Sequence, residues 1–178
     1  MRTLFLIAIL AAPASAQTCP DAADHSERLN SIVAQYKSST PQSSRRLTAQ
    51  LWQLWTDAPD QKAQQLLDEG MRLISVYDFA ASQAVLDELV SYCPDYAEGY
   101  NQRAFAKFLA KDYEAALVDL DRAIELIPNH IAAMSGRGLT LIGMGRREEG
   151  EQAIRDALEL NPWLSERRYL TEPEGTDI

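Results

Sequence analysis

Between Glu114 and Ile127, apolar side chains fall at Ala116, Leu117, Leu120, Ala123, Ile124 and Ile127. That is the three-and-four spacing of one helix face, and the run stops at Pro128-Asn129. The stretch before it, Ala97–Leu109, sets Tyr100, Phe105, Phe108 and Leu109 at near-helical spacing, with small Ala104 and Ala106 between them. Lys111-Asp112-Tyr113 separates the two runs, and Asp112 suits the N-cap of the second. The pair spans 34 residues, 97–130. One such period earlier, residues 63–96 carry Leu66, Gly70, Phe79, Ser82, Leu86, Leu89 and Pro94 in corresponding places. One period later, 131–164 carry Met134, Gly138, Arg147, Gly150, Ile154, Ala157 and Pro162. Three contiguous helical hairpins predict an array in which each copy buries its apolar face against its neighbours.

Tyr100, Ala104, Tyr113, Ala116, Leu120, Ala123 and Pro128 stand at places 4, 8, 17, 20, 24, 27 and 32 of the unit. In this the chain resembles the tetratricopeptide repeat (TPR) family. The resemblance implies an all-α, right-handed helical solenoid with repeats at 63–96, 97–130 and 131–164. First helices are expected near 63–76, 97–110 and 131–144, and second helices near 79–92, 113–126 and 147–160. Small residues at places 8 and 20 let the two helices of a hairpin approach closely, so Ala116 is expected to be buried at a crossing. Gly70 and Gly138, each unfavourable inside a helix by roughly 1 kcal/mol, fit the same need. Lys107, Arg147 and Gly150 depart from the pattern at places 11, 17 and 20.

Residues 17–62 predict one further hairpin. Asp24 and Glu27 read as a capping box, followed by Leu29, Ile32, Val33 and Tyr36 on one face. Ser38-Ser39-Thr40-Pro41 reads as a loop, and Leu47, Leu51, Leu54 and Trp55 mark a second face, with Trp52 nearby, ending at Ala58-Pro59. Aligned one period back, residues 29–62 put Ile32 at place 4 and Trp52 at place 24. The segment therefore reads as a degenerate repeat or an N-terminal cap over the first repeat's flank. Residues 165–178 are expected to form a C-terminal cap, flanked by Trp163-Leu164 and containing Tyr169-Leu170, and then a disordered tail from Thr171.

The start of the chain changes the setting. Residues 1–16 join Arg2, an apolar stretch from Leu4 to Ala12, and small Ala14-Ser15-Ala16, the three parts of a secretory signal peptide. The apolar stretch falls short of the ~20 residues that span a bilayer, so no stable membrane insertion is expected after cleavage at Ala16|Gln17. Similarity to small exported bacterial TPR proteins implies the periplasm. Net charge is −9, and −10 once Arg2 is removed. With basic pairs only at Arg45-Arg46, Arg146-Arg147 and Arg167-Arg168, nucleic acid is excluded as a partner. In an oxidising compartment the two cysteines, Cys19 and Cys93, are expected to pair.

Little else carries chemistry. His25 and His130 are the only histidines, and no spacing brings them together with Cys, Asp or Glu as a metal or nucleophile site. No phosphate loop or nucleophile elbow is present, and no cofactor is called for. In the family the first helices line a concave groove through places 2, 5, 9 and 12. Here Leu67, Met71, Asn101, Phe105, Phe108 and Leu139 stand at such places and are the candidate partner groove. Chaperone adaptors of the family hold a C-terminal carboxylate with Lys and Asn at places 5 and 9 and basic residues at 2 and 6. None of those places carries Lys or Arg here, so a carboxylate clamp is not carried over. Two readings of Phe105 and Phe108 stand: anchors for a partner, or core covered by the chain's own N-terminal helix. The function expected is a non-enzymatic interaction module, an adaptor or scaffold in the bacterial cell envelope. Its partner is expected to be a protein or peptide segment, apolar and neutral to basic. The alternative is a small redox or catalytic protein using Cys93 or the histidines.

Overall fold

The computed structural model describes residues 18–171; the expected leader at 1–16 and residues 172–178 of the expected tail lie outside them. The described chain forms α1 (Ser26–Gln35), a 3-10 turn (Tyr36–Ser38), α2 (Pro41–Trp55), α3 (Gln61–Ser75), α4 (Phe79–Tyr92), α5 (Ala97–Leu109), α6 (Tyr113–Leu126), α7 (Ile131–Gly143), α8 (Arg147–Leu160) and a 3-10 turn (Ser165–Tyr169). From α3 onward these are three stacked hairpins, α3–α4, α5–α6 and α7–α8, joined by packing of α4 on α5 and of α6 on α7. The repeat pattern places these six helices. α3 starts two residues early because the Asp60 carboxylate accepts the Ala63 N–H at 2.8 Å and caps it there. Asp78 and Asp112 cap α4 and α6 in the same way.

Each first helix ends identically. Tyr77, Lys111 and Gly145, all at place 15, have φ of 63°, 64° and 82°. The next N–H then reaches five residues back, Asp78 to Leu73, Asp112 to Lys107 and Arg146 to Leu141, at 2.9–3.0 Å. Only the third repeat uses glycine, so Tyr77 and Lys111 hold a conformation that costs an L-residue roughly 1–2 kcal/mol.

The small residues sit where helices cross. Ala104 and Ala116 are fully buried between α5 and α6. Gly150 has the same cause, although its sequence place favours alanine. A Cβ on Gly138 would lie 2.8 Å from the Gly150 carbonyl, and one on Gly150 would lie 2.6 Å from the Gly138 carbonyl. Lys107 is explained too: with Arg103 it faces the buried Asp119 carboxylate of α6, at 2.7 Å from Lys107 Nζ and 2.6–2.8 Å from Arg103. Both cations point between helices rather than into the face lined by α3, α5 and α7.

The N-terminal hairpin is not where a degenerate repeat would put it. α2 crosses the face lined by the first helices, over the N-terminal ends of α5 and α7. Its core of Leu29, Ile32, Tyr36, Leu47, Leu51, Leu54 and Trp55 closes on Ile131, with Ile127, Ala132, Leu160 and Leu164 packed beside it. Its apolar core closes on the third repeat and the end of the second, and from the first repeat Tyr96 bonds to it. The physical reason lies in α3, whose Gln61, Gln65, Asp68 and Arg72 are exposed and need no apolar cover. The expected capping box at Asp24–Glu27 does not form. His25 occupies the N-cap of α1, and Asp24 Oδ1 accepts the Ser26 N–H at 2.9 Å. The capping box belongs to α2, where Thr40 and Ser43 bond reciprocally on either side of Pro41.

At the other end, Leu164 joins the core of that hairpin, and the Trp163 indole N–H donates to Ser39 Oγ at 2.9 Å. Thr171, placed by the sequence in the tail, donates its hydroxyl to the Glu151 carboxylate on α8. That bond, then Arg147 and Arg155, hold the Glu151 carboxyl well down, at about 2.

Candidate partner-binding groove

The inward places of α3, α5 and α7 fall into two halves. Toward the helix N-termini stand Glu98 and Asn101 of α5 and Ala132 and Ser135 of α7, beneath α2. Glu98, Asn101 and Ser135 are buried there, and with Gln102 they make a polar floor. Glu98 is its centre: one carboxylate oxygen accepts from Gln102 Nε2 and from Asn101 Nδ2, the latter at 3.1 Å, and the other from His130 Nε2 at 2.9 Å. His130 Nδ1 accepts the Ala133 N–H at 3.2 Å and caps α7, so the ring's one proton sits on Nε2 and points at Glu98. Trp55 lies flat on the imidazole, with centroids 4.3 Å apart and planes within 11°. Tyr96 completes the seal by donating its hydroxyl to the Trp55 carbonyl at 2.8 Å. Burial, and secondarily the charge of Glu98, pushes that phenol well above its usual range, so it remains a donor.

The other half stays open. A pocket of about 520 Å³ is lined by Met71 and Ile74 of α3, Phe105 and Phe108 of α5, Leu139 of α7, and Trp52 reaching in from α2. Polar groups at its edge are Ser75, Asn101, Gln102, Ser135, Thr140 and Glu166, with no Lys or Arg. Phe105 is 46 % exposed, although its neighbours Ala104 and Ala106 are fully buried. Phe108 is half-buried and tilts against Tyr113 at 5.6 Å.

Of the six sequence-chosen residues, the structure gathers Met71, Asn101, Phe105, Phe108 and Leu139 around this pocket. Leu67 is a correction. It is fully buried with Ala63, Leu86 and Leu89, because place 5 of the first repeat faces the helix pair rather than the opening. Trp52 is the residue that sequence reasoning missed as part of this surface. Its indole belongs to a hairpin whose seat the periodicity does not encode.

Cys19 and Cys93 form a disulfide that ties the segment before α1 to the α4–α5 corner. His25 Nε2 lies 2.8 Å from Asp57 Oδ2 beside the end of α2. Among the described residues no group of three His, Cys, Asp or Glu converges as a metal site. No helix among them is long and apolar enough to cross a membrane.

The family model described as Tetratricopeptide repeat matches residues 97–130 and 132–162, the second and third hairpins. Those two hairpins are tetratricopeptide repeats. The chain is 25 % identical over 137 residues to a TPR repeat-containing protein of Rhizobium etli, covering 76 % of this chain and 67 % of that one. To tetratricopeptide repeat protein 36 of Xenopus tropicalis it is 33 % identical over 116 residues, 62 % of this chain and 56 % of that protein. In three dimensions this TPR chain resembles the first TPR domain of Spaghetti (RPAP3) bound to an HSP90 peptide. There the TM-score is 0.59 at 24 % identity, over 61 % of this chain and 90 % of that one. TPR domains mediate protein–protein interaction, and structural relatives of this one bind peptides.

Proposed function

We propose that this TPR protein is a non-enzymatic adaptor or assembly scaffold of the bacterial cell envelope. It holds an apolar, neutral-to-basic segment of another protein in the pocket formed by Met71, Phe105, Phe108, Leu139 and Trp52. One observation carries the reading: a phenyl ring is held half out of the surface at Phe105, in an apolar pocket without a cation. Large apolar anchors in concave sites are where binding energy concentrates. With net charge at −9 and Glu166 at the rim, an acidic segment is repelled and a neutral or basic one favoured. The pocket's lack of Lys and Arg argues against the carboxylate-clamp mode of the chaperone adaptors.

Export to the periplasm is supported by the three-part pattern of residues 1–16 and by a disulfide that suits an oxidising compartment. The redox or catalytic alternative has less to work with. Cys93 is buried and oxidised, and both ring nitrogens of His130 are engaged.

The test is photo-crosslinking in cells from position 105, with position 118 on the exposed surface of α6 as the control. Capture of one partner from 105 and not from 118 is expected, lost when Met71 and Leu139 are replaced by Ser. Phe105→Ala should weaken binding of that partner by ~2 kcal/mol or more while the melting temperature stays nearly unchanged. A variant that unfolds instead makes Phe105 part of the core and refutes the reading. Periplasmic fractionation with intact-mass measurement checks the compartment: full-length protein retained in the cytosol would refute export.

A further inference from the structure

The open pocket does not end at Trp52. A second cavity of about 580 Å³ lies on the far side of that indole, between α2, the start of α7 and the turn after α8. The two share Trp52, Ala132, Ser135 and Glu166, so they are one cleft with Trp52 as a ridge across its middle. At the far end stands Trp163, 45 % exposed, its ring set by the N–H bond to Ser39 at 2.9 Å. Glu166 lies where the halves meet, and its one hydrogen bond among the described residues comes from the adjacent Ser165 hydroxyl at 3.3 Å. A half-buried carboxylate at the waist of a mostly apolar cleft is left without an ion-pair partner among the described residues.

Building on the groove reading above, we infer that the partner segment is an extended peptide with two apolar anchors and a Lys or Arg between them. One anchor enters the Phe105 pocket, the cation meets Glu166, and the second anchor packs against Trp163. Extended backbone advances ~3.3 Å per residue and can send side chains to either side of a ridge. A helix, ~10 Å across, is as wide as α2, which already fills the neighbouring half of the face. Arg45 lines only the far cavity and favours an acidic or amide group beyond the second anchor.

The probe is an array of short blocked peptides with two apolar positions at varied separation and Lys, Gln or Glu between them. It is applied to the disulfide-bonded chain lacking residues 1–16. Lys-bearing two-anchor peptides should bind best. Trp163→Ala should weaken them about tenfold or more and leave single-anchor peptides unchanged. Glu166→Lys, at a half-buried side chain whose hydrogen bond comes from the adjacent Ser165, should reverse the charge preference to Glu. If Trp163→Ala and Glu166→Lys change nothing while Phe105→Ala still abolishes binding, the extension is overturned and the groove reading survives. If no peptide binds, or Phe105→Ala is without effect, both are overturned.

Discussion

Glu98 and His130 hold the polar floor under the N-terminal hairpin together, and a double-mutant cycle measures how tightly. In Glu98→Leu the acceptor of three donors is gone. Asn101 and Gln102 line the open pocket and can turn toward it, but His130 is fully buried. Moving its proton to the other nitrogen gives no relief, because Nδ1 faces the Ala133 N–H at 3.2 Å. An orphaned buried donor costs about 1–3 kcal/mol, and relief of the carboxylate's own desolvation offsets part, so about 2 kcal/mol is expected. His130→Phe keeps an aromatic ring against Trp55 but strips Glu98 of a donor and α7 of its cap, for about 3 kcal/mol. With both changed, neither an orphaned donor nor a stranded carboxylate remains. Only the cap is missing, and the loss falls to about 1 kcal/mol. The coupling is therefore roughly 4 kcal/mol, well beyond the additivity expected of independent sites. Urea unfolding of the disulfide-bonded variants, followed by tryptophan fluorescence, reads all four corners. Losses that add to within ~0.5 kcal/mol would falsify the direct contact and the tautomer assignment with it.

Three further outcomes are expected. Closing a loop across a sequence separation of 74 residues lets the disulfide add about 4 kcal/mol by the chain-entropy relation. Reductant should lower the urea midpoint accordingly, and two thiols alkylated before reduction would show that no bridge exists. Lys111→Gly should stabilise by ~0.5–1 kcal/mol, because glycine takes the left-handed turn without strain and Gly145 already does so in the next repeat; a loss would contradict it. Glu151, depressed from 4.5 to about 2, contributes fully above pH 4.5 and progressively less as pH falls toward 2. Protection against hydrogen exchange at the Tyr169–Thr171 segment, taken relative to the intrinsic rate at each pH, should fall through that window in the native protein and stay flat in Glu151→Gln. Equal profiles would sink the assignment.

The repeats were legible because everything that defines one is local. Spacing of apolar residues, small residues at crossings and, in the first two repeats, an acid before the second helix all lie within 34 residues. The seat of α1–α2 was not legible. Leu29, Leu51 and Trp55 announce that they will be buried, but nothing in their spacing says against what. Their partner Ile131 stands far along the chain, and no periodicity connects them. For the same reason the contact of His130 with Glu98 was not legible. The signal available was the position of His130 three residues before Ala133, where a side-chain acceptor caps a helix. Leu67 misled because its place in the unit is inward-facing in general, and only the packing of the first pair of helices decides its own case.

Ser39 bonds to Trp163 across 124 residues of chain, and Asn129 bonds to Asn30 across 99. A plain repeat array has no such contacts. Each unit touches its neighbours, the ends fray first, and folding can begin anywhere and spread. Here the earliest helices made have no seat until the last repeat has formed, and the last repeat loses part of its cover when they leave. The array is thereby closed into a single cooperative unit. It should unfold in one transition with no frayed intermediate, and fold more slowly than its all-helical content suggests.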